Sequence, residues 1–316
     1  MAILGKLPPP HRHKGRRRRL RSLAFFPTML TLANLLCGFA AIHFALRAMY
    51  ELGGGVPAAA FQAPHSAMLE RMLPSFLAVG AGLVILGMVF DCFDGLVARA
   101  TRSTTNFGGQ LDSLADVVTC GVAPATLMVA FITTQLAEES IFPSPISEHA
   151  LGRATWIAAA IYVAFAAVRL ARFNVEHAQA DFDYTTFRGL PSPGAASIVV
   201  AMILLQEQMS DASRRLIAYA LPVVAVAAAS LMVSRVPYRR FHRAYLAGKQ
   251  PFGRLVVALL LIAAFWIWKA PALLVIVLWY GASGPVFWLM RRLREPKRIA
   301  PSASADKASR GERQTG

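Results

Sequence analysis

Four aspartates dominate the chemistry open to this chain. Asp91 and Asp94 stand three residues apart and Asp112 and Asp116 four apart, so on a helix each pair shares a face. All four lie in or beside long apolar stretches, where an ionised side chain is costly and is kept for function. Brought together, they repel one another strongly at low dielectric. A bound cation resolves that conflict, and an all-oxygen donor set selects a hard divalent ion: Mg²⁺ or Mn²⁺, with Ca²⁺ as a third option. The residues between them suit a ligand. Gly95 and Ala98 leave room for a bulky group or a close helix, Arg99 offers a bidentate fork to a phosphate oxygen, and Gly108 and Gly109 open the second helix with free backbone N–H groups. A plainer account, as helix caps or ion-pair partners of Arg99 and Arg102, serves for one pair but not for two in this glycine-punctuated frame.

The elements that must position these acids are membrane helices. Hydrophobic residues make up 56% of the chain and charged ones only 16%, well under the roughly 25% of soluble proteins. Mean hydropathy is +0.47. Apolar segments fall near 27–46, 74–96, 110–134, 153–173, 190–208, 214–234, 252–268 and 271–290, most of them close to the ~20 residues that cross a bilayer as helix. The expected fold is therefore all-α and integral to the membrane, with eight transmembrane helices. A basic arm, 1–26, precedes the first. It is too weakly matched to a signal peptide to be one, because the apolar run is long and no small-residue cleavage site closes it. The tail 291–316 is basic and then rich in Ser, Ala and Gly, with too little apolar surface to fold.

Charge sets the orientation. The net charge of +16 is gathered at both termini and in 235–254, always beside an apolar run and without a nucleic-acid motif, so a nucleic-acid partner is not expected. With the amino terminus inside, only Arg47, Arg71, Arg153, Arg214, Arg215 and Lys269 of the 33 Lys and Arg fall outside, alongside Glu138, Glu139 and Glu148. The positive-inside rule then makes both termini cytoplasmic. Cys37, Cys92 and Cys120 lack paired spacing, which excludes a disulfide framework and a thiolate zinc site, and the seven histidines form no helical metal pair.

The frame D-x-x-D-G-x-x-A-R-x8-G-x3-D-x3-D, met at every fixed position from Asp91 to Asp116, resembles the signature of the CDP-alcohol phosphatidyltransferases. That resemblance implies a six-helix catalytic core, here 27–240, followed by two further transmembrane helices in 241–290. It also implies a polar cavity facing the cytoplasm of the cell (inner) membrane, and a homodimer. Asp91, Asp94 and Asp112 would ligate a pair of divalent cations, and Asp116 would combine metal contact with the role of general base. Gly95, Ala98 and Gly108 would line the CDP site, with Arg99 stabilising its charges. Asn34 joins Asp91, Gly95, Ala98, Arg99 and Gly108 in the expected cofactor-binding set.

Other segments resemble the membrane-embedded phosphatidylserine synthases within that family: Pro27 to Gly38, Leu111 to Pro124, Arg169 to Asn174, Phe187 to Pro193 and Ser234 to Tyr238. This narrower resemblance implies CDP-diacylglycerol and L-serine as substrates. Arg169, Arg172, Asn174, Arg188 and Arg235 are then candidates for holding phosphate or the serine carboxylate, although arginines here also serve as positive-inside anchors. The alternatives are the same transfer to glycerol 3-phosphate, inositol or choline, or an ion transporter using the Asp cluster. Against transport, the acids lie toward one face and no inverted repeat carries a second cluster.

The orientation is checked by single cysteines placed at Arg243 and Glu139 in a Cys-free background. An impermeant thiol reagent applied from outside is expected to label position 139 and spare position 243. The opposite pattern would invert the topology.

Overall fold

The computed structural model describes residues 25–52, 74–101, 106–139, 141–177, 186–234, 236–239 and parts of 271–290. In order these form α1 (Phe25–Leu52), α2 (Phe76–Thr101), α3 (Asn106–Asp116), a π-helical turn (Val117–Val122), α4 (Ala123–Gln135), α5 (Ala150–His177), β1 (Thr186–Arg188), α6 (Ser192–Leu205), α7 (Asp211–Val233) and β2 (Pro237–Arg239). Among the described residues, five helical stretches are long and apolar enough to cross a membrane: Pro27–Glu51, Phe76–Gly95, Phe107–Gln135, Ala150–Glu176 and Asp211–Val233. The third of these runs unbroken through α3, the π turn and α4. Large apolar side chains such as Leu36, Phe39, Val168, Leu216 and Val223 point outward, as a lipid-facing surface requires. The chain is a multi-pass membrane protein.

The helix ends differ from the sequence expectation in an informative way. α1 and α5 have 28 residues each, about 42 Å of helix against a hydrocarbon core of about 30 Å. Hydropathy marks only the part in lipid, while the helix continues until the chain turns. α6 departs in the opposite sense. A full span was expected at 190–208, but the helix has 14 residues, about 21 Å, and is too short to span alone. Its start is delayed because the preceding segment is extended. Leu190 N–H donates to the Leu231 carbonyl (2.9 Å) and Gly189 N–H to that of Val236 (2.9 Å), continuing the antiparallel pairing of β1 with β2. Gly189 has φ +84°, and a Cβ there would run into the carbonyls at the end of α7. Only glycine tolerates both conditions. Pro191 and Pro193 flank the first helical residue, where a missing N–H costs nothing. Most of α6 is buried, so it serves as a core element among longer helices.

The small β1–β2 ladder is the one non-helical element among the described residues, and the all-α expectation did not include it. The expected helix at 252–268, the arm 1–24 and the tail from 291 lie outside the described residues. At 271–290 the described residues include an apolar helix shorter than a full span, Leu274–Val286. Its Tyr280 ring packs over Gly194 of α6, where a Cβ would come within 3.3 Å.

α1 and α2 form the most extensive helix pair, and α1 also meets α3, the π turn and α4. Gly87 is one close approach among them, where a Cβ would lie 2.7 Å from Thr119 Cγ2 and 2.8 Å from Asn34 Oδ1. The π turn is stabilised from outside. Pro124 has no N–H to return to the Cys120 carbonyl four residues back, and the hydroxyl of fully buried Tyr162 on α5 donates to that carbonyl instead (3.1 Å).

Tyr162→Phe is expected to leave that buried acceptor unpaired at a cost of about 1–3 kcal/mol. A lowered melting temperature in detergent, with unchanged helicity, checks it. An unchanged melting temperature would mean that the hydroxyl contributes nothing to the turn.

Candidate active site

Asp91 lies on α2, Asp112 on α3 and Asp116 at the junction of α3 with the π turn. Each offers a carboxylate oxygen within 4.8 Å of the others. Asp116 is buried and the other two are half-buried. Asp112 Oδ1 is enclosed and has no hydrogen-bond partner. An enclosed, unpartnered carboxylate oxygen facing two further acids is the arrangement a hard cation satisfies, so the residues present fit a divalent metal. The π turn begins directly after Asp116, and π insertions recur at functional sites because they re-aim neighbouring side chains.

Asp94, the fourth acid of the sequence frame, is buried beside this triangle rather than within it. Its Oδ2 accepts from the Thr31 hydroxyl of α1 at 2.7 Å. Asn34, one turn further along α1, is completely buried and donates from Nδ2 to Asp116 Oδ1 at 3.3 Å. Its backbone carbonyl accepts from the Thr119 hydroxyl in the π turn at 3.0 Å. Asn34 therefore reaches the cluster through a carboxylate.

Gly95 follows Asp94 on α2, and Gly108 lies on α3, one turn before Asp112. Ala98 and Arg99 continue α2, their side chains lying outside what the structure describes. Arg169 reaches this end of the bundle from α5. Its Nη1 donates to Ser192 Oγ at the start of α6 (2.8 Å), and its Nε is enclosed and unpartnered. Its positive charge acts on Asp116 and on Tyr280. Arg172 is engaged within the protein: Nε pairs with Glu176 Oε1 (3.1 Å) and Nη1 donates to the Val233 carbonyl at the end of α7 (3.2 Å). Asn174 is engaged too, donating from Nδ2 to the hydroxyl of Ser113, the neighbour of Asp112, at 2.9 Å. Arg188 lies on β1 with its side chain undescribed, and Arg235 is outside the described residues.

These bonds define one polar end of the bundle, where the first part of α1, the last part of α2, α3, the end of α5, the start of α6 and the end of α7 meet. The other end is held by separate contacts: Ser75 to Glu207, Arg215 to Glu138, and the Tyr219 hydroxyl to Glu139 (2.9 Å). Sequence reasoning had not singled out Thr31, Ser113, Thr119, Tyr162 or Ser192. A small hydroxyl residue in an apolar helix carries no charge penalty to mark it, although Thr31, Ser113, Thr119 and Ser192 lie inside segments whose neighbours drew notice.

The family model for CDP-alcohol phosphatidyltransferases matches residues 24–234. Among curated proteins the chain is similar to the CDP-diacylglycerol–serine O-phosphatidyltransferase of Helicobacter pylori (strain ATCC 700392 / 26695), 30% identical over 66% of this chain and 78% of that one. The Mycobacterium leprae (strain TN) protein of the same name is 28% identical over 84% of this chain and 74% of its own. That of Bacillus subtilis (strain 168) is 29% identical over 56% and 75% respectively.

Asn replacement of Asp91, Asp112 or Asp116 is expected to weaken Mn²⁺ binding to the purified, substrate-free protein by more than about tenfold, because a ligand charge is lost. Electron paramagnetic resonance of free Mn²⁺ measures this. Three variants binding like the parent would remove the triangle as a metal site.

Proposed function

The chain belongs to the CDP-alcohol phosphatidyltransferase family, and we propose that it transfers the phosphatidyl group of CDP-diacylglycerol to L-serine, giving phosphatidylserine and CMP. The observation that carries the transfer is the enclosed triangle of Asp91, Asp112 and Asp116 within the family's acid frame. Serine as acceptor is supported by the names of the similar proteins. Enclosed Arg169, with an unpartnered Nε, adds a cation suited to an acceptor carboxylate or a phosphate.

In this reading Asp91, Asp94, Asp112 and Asp116 would hold two divalent cations, Mg²⁺ or Mn²⁺. Bound there, they supply charge neutralisation at the pyrophosphate and at the departing CMP. The serine hydroxyl oxygen attacks the phosphorus on the diacylglycerol side, the bond from that phosphorus to the CMP oxygen breaks, and the hydroxyl proton passes to Asp116. Gly95, Ala98 and Gly108 would line the nucleotide's site, and Arg99 would stabilise its charges. Arg169 holds the acceptor, its guanidinium oriented by Ser192. Arg172 and Asn174 act at one remove, joining α5 to the end of α7 and to α3. The acyl chains stay in the bilayer.

The polar end faces the cytoplasm of the inner membrane in this reading, with both termini on that side, as the charge distribution favours. Residues 27–240 form the catalytic unit, and two copies of the chain associate. Acceptors other than serine are the nearest competing reading.

Purified protein with CDP-diacylglycerol is expected to release CMP only with Mg²⁺ or Mn²⁺ present, to stop with EDTA, and to prefer L-serine to glycerol 3-phosphate, inositol and choline. A serine site built on buried polar groups rejects alcohols that leave them unpaired, by a factor of up to ~10⁴. Faster CMP release with inositol or glycerol 3-phosphate would overturn the acceptor. Full turnover in EDTA would overturn the mechanism.

A further inference from the structure

α1 supplies no acid to the cluster, yet it touches two of the four aspartates. Thr31 and Asn34 are three residues apart and so share a face of the helix. One hydroxyl reaches Asp94 Oδ2 at 2.7 Å, and one amide reaches Asp116 Oδ1 at 3.3 Å. We infer that Thr31 and Asn34 are positioning residues, each binding one oxygen of a buried carboxylate and so fixing where the other oxygen points. This rests on the reading of the aspartates as a divalent-cation site.

The surroundings of Asn34 favour that role over simple packing. Its side chain is completely buried, its carbonyl is tied to Thr119, and its Oδ1 lies against Gly87 with no hydrogen-bond partner. An asparagine placed only to satisfy its own polar atoms would not leave that oxygen bare in a dry site. Turning the amide over would give Oδ1 a donor no better and would set two oxygens face to face at Asp116, so the amide hydrogen must point at the carboxylate. Thr31 has a local alternative, since the Pro27 carbonyl lies 3.1 Å from its hydroxyl, but the shorter contact is to Asp94.

The need for such groups follows from electrostatics. Four like-charged carboxylates left free to rotate would turn away from one another. A donor on one oxygen of Asp94 and on one oxygen of Asp116 opposes that rotation in two of the four before any cation arrives. Groups of this kind around a metal site are worth about 10–100-fold in affinity.

The test uses the full chain in detergent, substrate-free, titrated with Mn²⁺ and followed by electron paramagnetic resonance. Thr31→Val keeps the shape and removes the hydroxyl, while Thr31→Ser keeps the hydroxyl. Thr31→Val is expected to weaken Mn²⁺ binding about 10–100-fold, with Thr31→Ser within about threefold of the parent on the same scale. Asn34→Leu is expected to do the same and to lower kcat even at saturating Mn²⁺, since Asp116 then loses its fixed orientation. Should Asn34→Leu fail to fold, the Thr31 pair decides alone. Equal Mn²⁺ affinity in Thr31→Val and the parent overturns the inference, as does equal loss in Thr31→Val and Thr31→Ser. A parent protein that binds Mn²⁺ but releases no CMP overturns the proposed reaction and leaves this inference standing. A parent that binds no Mn²⁺ overturns both.

Discussion

The constraint on which the rest of this molecule depends is the confinement of like charges. Asp91, Asp112 and Asp116 bring oxygens within 4.8 Å of one another inside a helix bundle, with Asp94 buried alongside. In water such a group would spread apart. Here the acids lie on two rigid helices, α2 and α3, whose spacing is set by contacts away from the charges, so they cannot. The energy needed to hold them comes from apolar packing and from hydrogen bonds distributed over the bundle. Binding a cation releases it.

Several features that look unrelated answer that constraint. The absence of a side chain at Gly87 lets α2 approach α1 and the π turn closely enough for Asp91 and Asp116 to share a site. The π turn shifts the phase of the helix directly after Asp116, so α4 can follow the core while Asp116 stays aimed at Asp91 and Asp112. The turn is tied to two different helices: the Thr119 hydroxyl donates to the Asn34 carbonyl of α1, and the Tyr162 hydroxyl of α5 donates to the turn's Cys120 carbonyl. The turn therefore exists only within the assembled bundle.

The α5 side is built by a different device. Arg169 is a long cation in a tight place, and its orientation depends on Ser192. Ser192 in turn is fixed by the extended Gly189–Pro191 segment pinned to the end of α7. A three-residue ladder and one positive-φ glycine thus decide where α6 begins, and through it how a guanidinium faces the acids. The shortness of α6 and the placement of Arg169 have a common cause.

The sequence by itself determined the membrane character, the approximate course of the long helices, and the identity and frame of the four aspartates. These are local or compositional properties: apolar runs of span length, charges rare enough to stand out, and spacings that repeat with the helical period. The family resemblance was legible for the same reason, since it rests on residue types at fixed separations in one continuous stretch. Tertiary structure alone decided that three acids converge while Asp94 turns to Thr31, that Arg172 and Asn174 bond within the protein while Arg169 keeps an unspent donor, and that α6 stops short of a full span. Each of these depends on which groups meet across distant parts of the chain, from Arg169 with Ser192, 23 positions apart, to Thr31 with Asp94, 63 apart. Hydroxyls, backbone carbonyls and a glycine's missing side chain leave little trace in hydropathy or charge, and their roles come into being only when the helices pack.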